Sequence, residues 1–388
     1  MAQTIYVLGI IVGPTLGPPL GGYIIDNYSW PLIFYINIPV GIVAALLTFQ
    51  FVRSPKYAEK LKTRNVDWIG IALLIIAVGF LQFILEKGQE EDWFSSSLIT
   101  TSAVLSFFGF FFFIWREMVY KYPIVDLRVL RNRNLSIGSI LSFVLGFGLF
   151  GSTFIIPLYT QTIMGWTAFQ SGMLMVPSTI FTAIMMPFVG KMMEKGVSFR
   201  LLITSGMIIF FIYSMMAYKI LTPNTDGDAF FWILVVRGVG LGLLSVPVTT
   251  MALSTLHGSE IGQGAALSGM LRQLGGSFGV ALISTYLTRD IQFHRSNLVG
   301  TLSIDDPVVQ QRIELLKKGF ESKGMTWDNS QEAALKLLDN IVNIQATVLS
   351  YMDVFLWIGV MFLVCIPFVL ILVKKSKNKI KASDMIHE

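Results

Sequence analysis

Two cations sit where charge is expensive. Arg237 opens the run RGVGLGLLSVP, and Arg272 lies beside Gln273 in LRQLGGSFG, each inside a long apolar stretch. A guanidinium in such a setting attracts an anionic or polarisable ligand, pairs with main-chain carbonyls, or reaches for an interface. Gly275, Gly276 and Gly279 thin the helix next to Arg272, which favours a ligand-facing role for that residue. Gly238, Gly240 and Gly242 after Arg237 give GxGxG rather than the dinucleotide pattern GxGxxG, and no strand precedes them. Tyr159, Gln161 and Gln170 offer hydrogen bonds to a ligand, although both Gln fall in or near a turn where solvation explains them. Asp26, Asp67, Glu86, Glu117 and Asp353 all fall at the ends of apolar stretches, so no carboxylate stands in the middle of one. His257, His294 and His387 read as isolated, without Asp, Glu or Cys at ligand spacing, so no metal site is expected. No Ser-His-Asp set, nucleophile elbow or phosphate loop is visible, and an enzyme is not expected. The single cysteine, Cys365, excludes an internal disulfide and a Cys-based metal site.

The elements that must position these residues follow from composition. Of 388 residues, 54% are hydrophobic and only 14% charged, and the mean hydropathy is +0.66. A soluble domain carries about 25% charged residues, so this chain cannot cover a surface facing water. A membrane span needs about 20 apolar residues. About ten such stretches are present, near 2–25, 32–52, 67–85, 97–115, 136–159, 169–189, 200–219, 229–253, 262–287 and 353–373. None shows the alternating pattern of a barrel, so helices must satisfy the backbone in lipid. The net charge of +5 comes from basic residues in short loops and suggests no nucleic-acid partner.

Those loops also set the orientation. Arg53, Lys56, Lys60, Lys62 and Arg64 crowd the loop after the second stretch, and the following loop, EKGQEED, is acidic. Basic loops recur at 116–133 and in GKMMEKGVSFR, and the tail KKSKNKIK is strongly basic. The alternation places the C-terminus in the cytoplasm and the segment 288–352 outside. Met1 abuts the first apolar stretch almost directly, and the first basic residue of the chain is Arg53. A true start would lack its orientation signal, so Met1 is expected to be an internal methionine of a longer protein.

The first stretch reads GIIVGPTLGPPLGG, with Gly9, Gly13, Gly17 and Gly21 every fourth residue, Gly22 beside them, and Pro14 and Pro18 between. This places glycines along one helix stripe that a neighbouring helix can approach closely, while the prolines bend it. The full run resembles the antiporter motif of the major facilitator superfamily. WPLIFYINIPVG, from Trp30 to Gly41, resembles the block that follows it in the fourteen-span drug:proton antiporters of the EmrB/QacA type, with Pro31 where a basic residue is usual. NVDWIGIALLI, with Asp67 and Gly70, is similar to the start of that family's extra span pair, and PLYTQTIMGWTAFQSGMLMVP to the block joining the next two spans. GKMMEKGVSFR resembles the second copy of the superfamily's cytoplasmic loop signature. Its matching positions are Gly190, Glu194, Lys195, Gly196 and Arg200, with Glu194 where Asp is usual.

The resemblance implies an all-α integral membrane protein of the major facilitator fold, with about ten of fourteen spans visible and the first four lacking. Residues 1–52 would be the last two spans of the N-terminal half and 53–134 the extra central pair. Residues 135–388 would be the six-span C-terminal half, with an external loop at 288–352 and a cytoplasmic tail at 374–388. It further implies efflux of hydrophobic or amphiphilic toxic compounds by proton antiport and alternating access, without a bound cofactor. The expected partners are an EmrA-type adaptor and a TolC-type outer-membrane channel, and the expected location is the inner membrane. Arg237, Arg272, Gln273, Tyr159 and Gln161 are then the candidates for substrate or coupling contacts, and the 190–200 loop for a charge-paired gate. The competing expectation is a shortened membrane remnant that does not transport.

Overall fold

A computed structural model describes residues 16–51 and 67–373, except 121, 122, 124, 224, 226, 257 and 304. Among these residues every regular element is helical. The described chain opens with α1 (residues 16–27), followed by α2 (Leu32–Tyr35) and α3 (Asn37–Phe51). Next come α4 (Trp68–Lys87), α5 (Ser97–Val119), α6 (Arg133–Thr162), α7 (Ala168–Glu194), α8 (Phe199–Ile220) and α9 (Gly227–Leu253). The chain continues through α10 (Ser259–Thr301), α11 (Pro307–Glu321) and α12 (Trp327–Leu372). Pro157, Pro177, Pro187, Pro247 and Pro367 lie inside helices, which membrane helices tolerate because neighbours satisfy the freed carbonyls.

Eight helices among the described residues are long and apolar enough to cross a membrane, α2 and α3 counting together as Leu32–Phe51. The other two expected spans have simple explanations. Only part of the first is described, and 262–287 is the inner portion of α10, where Arg272, Gln273, serines and glycines dilute the apolar character.

Six helices, α6 to α10 and α12, form the main bundle. Its closest pairings are α6 with α10, α7 with α9, α8 with α9, and α8 with α12. Small residues permit these approaches. A Cβ on Gly146 of α6 would stand 1.9 Å from the Arg272 carbonyl oxygen of α10. The centre is aromatic: Phe210 and Phe362 have ring centroids 4.3 Å apart, and Tyr159 meets Tyr351 edge-on at 5.1 Å. Outside the bundle, α4 and α5 form a hairpin that touches α10. Arg116 closes its base, with Nε 2.8 Å from Oδ1 and 2.9 Å from Oδ2 of the buried Asp67. Asp67 also caps α4 by accepting from the Gly70 amide.

The segment expected to lie outside differs in part from expectation. Within 290–350 the runs QRIELLKKGF and EAALKLLDNIVNIQATVL have the apolar spacing of short helices; the first lies in the separate α11, whereas the second belongs to a much longer helix. The rest prolongs α10 to Thr301 and begins α12 at Trp327. No proline or glycine interrupts 288–299 or 327–352, so nothing stops either helix at the membrane boundary. With 43 and 46 residues, α10 and α12 each run roughly twice the thickness of the hydrocarbon core.

Candidate functional site

A cleft of about 340 Å³ opens between the end of α4, the middle of α6 and one face of α10. From α10 it takes Gln273, Gly276, Ser277, Val280, Ala281 and Ser284, a single helical stripe. Phe150 and Phe154 of α6 give an aromatic wall. Gln82, Glu86, Gln89 and Glu90 supply the polar end, where Gln82 donates to Glu86 at 2.7 Å and Lys87 pairs with Glu90 at 2.5 Å. The size and the mix of apolar walls with convergent polar groups suit a small amphiphilic molecule. Gln273 therefore lines a cavity. Arg272 is exposed on the neighbouring face and is not among the cleft residues.

Arg237 has a different environment. It is buried at the junction of α6, α7 and α9. Nε donates to Ser152 at 2.9 Å, Nη1 to Ser178 at 2.8 Å, and Nη2 to Thr153 at 2.5 Å and to the Leu149 carbonyl at 3.3 Å. All these partners are neutral, so the guanidinium is held by hydroxyl and carbonyl dipoles that join three helices. Tyr159 is fully buried, and its hydroxyl donates to the Thr222 carbonyl at 2.6 Å, away from the cleft. Gln161 is exposed in the last turn of α6. Gln170 completes a capping box at the start of α7, accepting from the Thr167 amide at 3.0 Å.

The glycine-rich α1 rests on the start of α7. A Cβ on Gly22 would lie 2.4 Å from the Ala168 carbonyl oxygen, and one on Gly172 would lie 2.4 Å from the Pro18 carbonyl oxygen. Tyr23 meets Phe169 edge-on with ring centroids 6.1 Å apart. Asp26 completes the joint by accepting from the amides of Phe169 at 2.7 Å and Ala168 at 3.2 Å. These are free donors at a helix N-terminus, where a carboxylate is favoured. The Phe169 amide above all holds the Asp26 carboxyl below the usual carboxylate range. A Cβ on Gly17 or Gly21 would meet nothing within 4 Å, so the tight approach belongs to Gly22 and Gly172. Gly9, Gly13 and Pro14 lie outside the described residues.

The loop from Gly190 to Arg200 is a tight helix end. Gly196 has φ +85°, and the amides of Gly196 and Val197 bond back to Met193 at 2.9 Å and Met192 at 3.0 Å. Glu194 and Lys195 are exposed. Among the described residues neither they nor Arg200 form an ion pair, so backbone bonds shape this turn.

His294 departs from the expectation of isolation. It stands 2.9 Å from Asp353 of α12 and 3.3 Å from Asp290, its own i−4 neighbour on α10. His257 and His387 lie outside the described residues.

The family profile of the Major Facilitator Superfamily matches residues 1–280. The chain belongs to that superfamily. It is 31% identical over 369 residues to the multidrug export protein EmrB of Escherichia coli K12, covering 95% of this chain and 70% of that protein. It is 30% identical over 380 residues to the fatty acid resistance protein FarB of Neisseria gonorrhoeae, with the same two coverages. The colistin resistance protein EmrB of Acinetobacter baumannii is 25% identical over 353 residues, which is 91% of this chain and 68% of that protein. The chain is thus an EmrB-like multi-pass membrane transporter of the superfamily, not an enzyme.

Within this superfamily member, some site residues escaped the sequence. Glu86 and Glu90 read as the end of a span and a turn, and only packing of the hairpin against α10 brings them to Gln273. The partners of Arg237 are ordinary serines and threonines on two other helices. The Asp290–His294 spacing of four is visible in the sequence and is the signal that could have found the third group.

Proposed function

We propose that this chain exports hydrophobic or amphiphilic toxic compounds across the inner membrane, in exchange for protons, by alternating access. The joint between α1 and α7 carries this reading. Two helices from opposite parts of the sequence meet there through glycine-to-backbone contact and a single carboxylate cap. Such a contact can part and reform without breaking a buried polar network, as rocking around a central site requires. The cleft at Gln273 supplies an amphiphile-sized site, and exposed Arg272 offers a neighbouring cation for anionic compounds. Resistance names among the relatives support export of toxic compounds as the task. The same reading assigns the cytoplasmic side to the C-terminal tail. It also assigns the outer extension of α10, α11 and α12 to docking of an EmrA-type adaptor that leads to a TolC-type channel.

Expression in a bacterial host stripped of its own efflux pumps tests the proposal. Raised inhibitory concentrations for a panel of amphiphiles are expected. Everted vesicles should also release protons into the medium on addition of those compounds, followed with a pH-sensitive dye. Unchanged susceptibility together with a flat dye signal would overturn it in favour of a non-transporting remnant.

A further inference from the structure

Asp290 and His294 lie one turn apart on α10, and Asp353 faces them from α12, at the base of the outer extension. Each offers one ligand atom, and the three atoms lie within 4.8 Å of one another. The contacts of His294 Nε2 are 2.9 Å to Asp353 Oδ2 and 3.3 Å to Asp290 Oδ2. All three residues are half-buried, and the Asp290 side chain keeps only 11% of its exposure.

The charges do not balance without help. Two carboxylates face one imidazole, which can carry at most a single positive charge. The ring nitrogen makes its good bond to Asp353, and the Asp290 Oδ2 atom is fully buried with no hydrogen-bond partner. A buried carboxylate oxygen that shares its one cationic neighbour, 3.3 Å away, with a second carboxylate and accepts no hydrogen bond is a costly arrangement. The nearby guanidiniums do not relieve it: Arg295 pairs with Asp339 at 2.9 Å, and Arg289 is exposed and in no ion pair among the described residues.

A cation at the centre resolves the deficit, and the geometry selects its kind. Ligand atoms about 2.0–2.2 Å from a tetrahedral metal stand roughly 3.3–3.6 Å apart. The two contacts of His294, at 2.9 and 3.3 Å, need only a slight opening, and the Asp290 and Asp353 oxygens lie within 4.8 Å of each other. One imidazole nitrogen with two carboxylate oxygens suits a divalent first-row transition metal, whereas calcium takes six or more oxygens and magnesium keeps most of its waters. Tyr286, one turn before Asp290, hydrogen-bonds that carboxylate through its side chain, and its hydroxyl accepts from Trp357 at 2.9 Å. A hydrogen-bonded outer group of this sort is a usual companion of metal ligands.

We propose that Asp290, His294 and Asp353 bind a divalent transition-metal ion of the zinc class, fastening α10 to α12 where both leave the membrane. The proposal stands on local geometry and does not depend on the transport reading. Its test uses the whole chain in detergent, purified on a tag free of histidine, stripped with a chelator and dialysed against Zn2+. Elemental analysis should find one saturable equivalent, and Co2+ in its place should give the visible bands of a low-symmetry tetrahedral site. His294→Gln and Asp353→Asn should each lose that equivalent, and Tyr286→Phe should keep it with about tenfold weaker affinity. Zn2+ should also raise the thermal midpoint of the native chain and leave that of His294→Gln unchanged. Absence of saturable Zn2+ in the native chain would overturn the site, as would undiminished binding by a monodisperse His294→Gln variant. In either case the three residues form only an ion-paired cluster.

Discussion

Arg237 illustrates how a charge survives at depth without a counter-ion. Its donors are spread over Ser152, Thr153, Ser178 and the Leu149 carbonyl, so positive charge is dispersed into dipoles from α6 and α7. Arg237→Met should leave those hydroxyls without their donor and destabilise the bundle by about 1–3 kcal/mol. Arg237→Lys should recover little, because a compact ammonium cannot span both helices as the planar fork does. Thermal midpoints in detergent check both. The sequence marks Arg237 as a charge out of place, but its partners carry no signal, since serine and threonine are common inside membrane helices. Asp26 leads to a pH expectation. Its carboxyl is held below the ordinary range by the Phe169 amide, so the ionised contact is complete above the ordinary carboxylate pKa of about 4. It is lost only as pH falls further, through the lowered value. Closure of the α1–α7 joint should therefore be constant from about pH 5 to 8, and Asp26→Asn should weaken it throughout that window. A distance measurement between spin labels on the two helices tests this, and a closure that changes near pH 6 would contradict it.

At the scale of elements, the joint depends on two missing side chains. A Cβ at Gly22 or Gly172 meets main-chain oxygen at 2.4 Å, and a backbone atom cannot swing aside as a side-chain tip can. Gly22→Val and Gly172→Val should each pry α1 from α7 and abolish transport while leaving the six-helix bundle folded. The check is transport against the amount of monodisperse protein, and Gly17→Ala serves as the tolerated control because nothing lies within 4 Å of its Cβ position. The glycine repeat announces this contact in the sequence, although the repeat alone cannot say which helix is met. Most membrane helices are equally legible: the stretch at 32–52 is Leu32–Phe51, and 200–219 is Phe199–Ile220. The continuation of α10 and α12 beyond their apolar stretches is not, for a physical reason. Hydropathy marks where lipid ends, whereas a helix ends where its backbone bonds are interrupted, and no breaker occurs there. The cleft is hidden from the sequence because it needs the α4–α5 hairpin laid against α10, a relation that no local pattern encodes.

For the whole molecule, the proposed alternating access requires the α1–α7 joint to open and close in each cycle. Cys365 is the sole native cysteine, so a Cys365→Ser background permits a clean cross-linking test. Tyr23→Cys with Phe169→Cys, placed where the two rings now stand 6.1 Å apart, should cross-link readily with a short bifunctional reagent. Locked protein should lose transport and regain it when the linker is cleaved. Full activity in the locked form would rule out motion at this joint. Orientation is checked by reporter fusions: one after Glu388 should be active only in the cytoplasm, and one inserted near Gly324 only outside. The long α12 has a mechanical consequence. Asp339 in its first half and Asp353 just past its middle are tied to α10, and Phe362 further along packs against Phe210 at the centre of the bundle. No proline interrupts it before Pro367, so one continuous helix links the two ends, and under the proposed orientation its N-terminal end stands outside the membrane. An antibody fragment that grips that end should therefore slow the proposed transport without entering the membrane, because the same helix reaches the aromatic contact at the centre of the bundle.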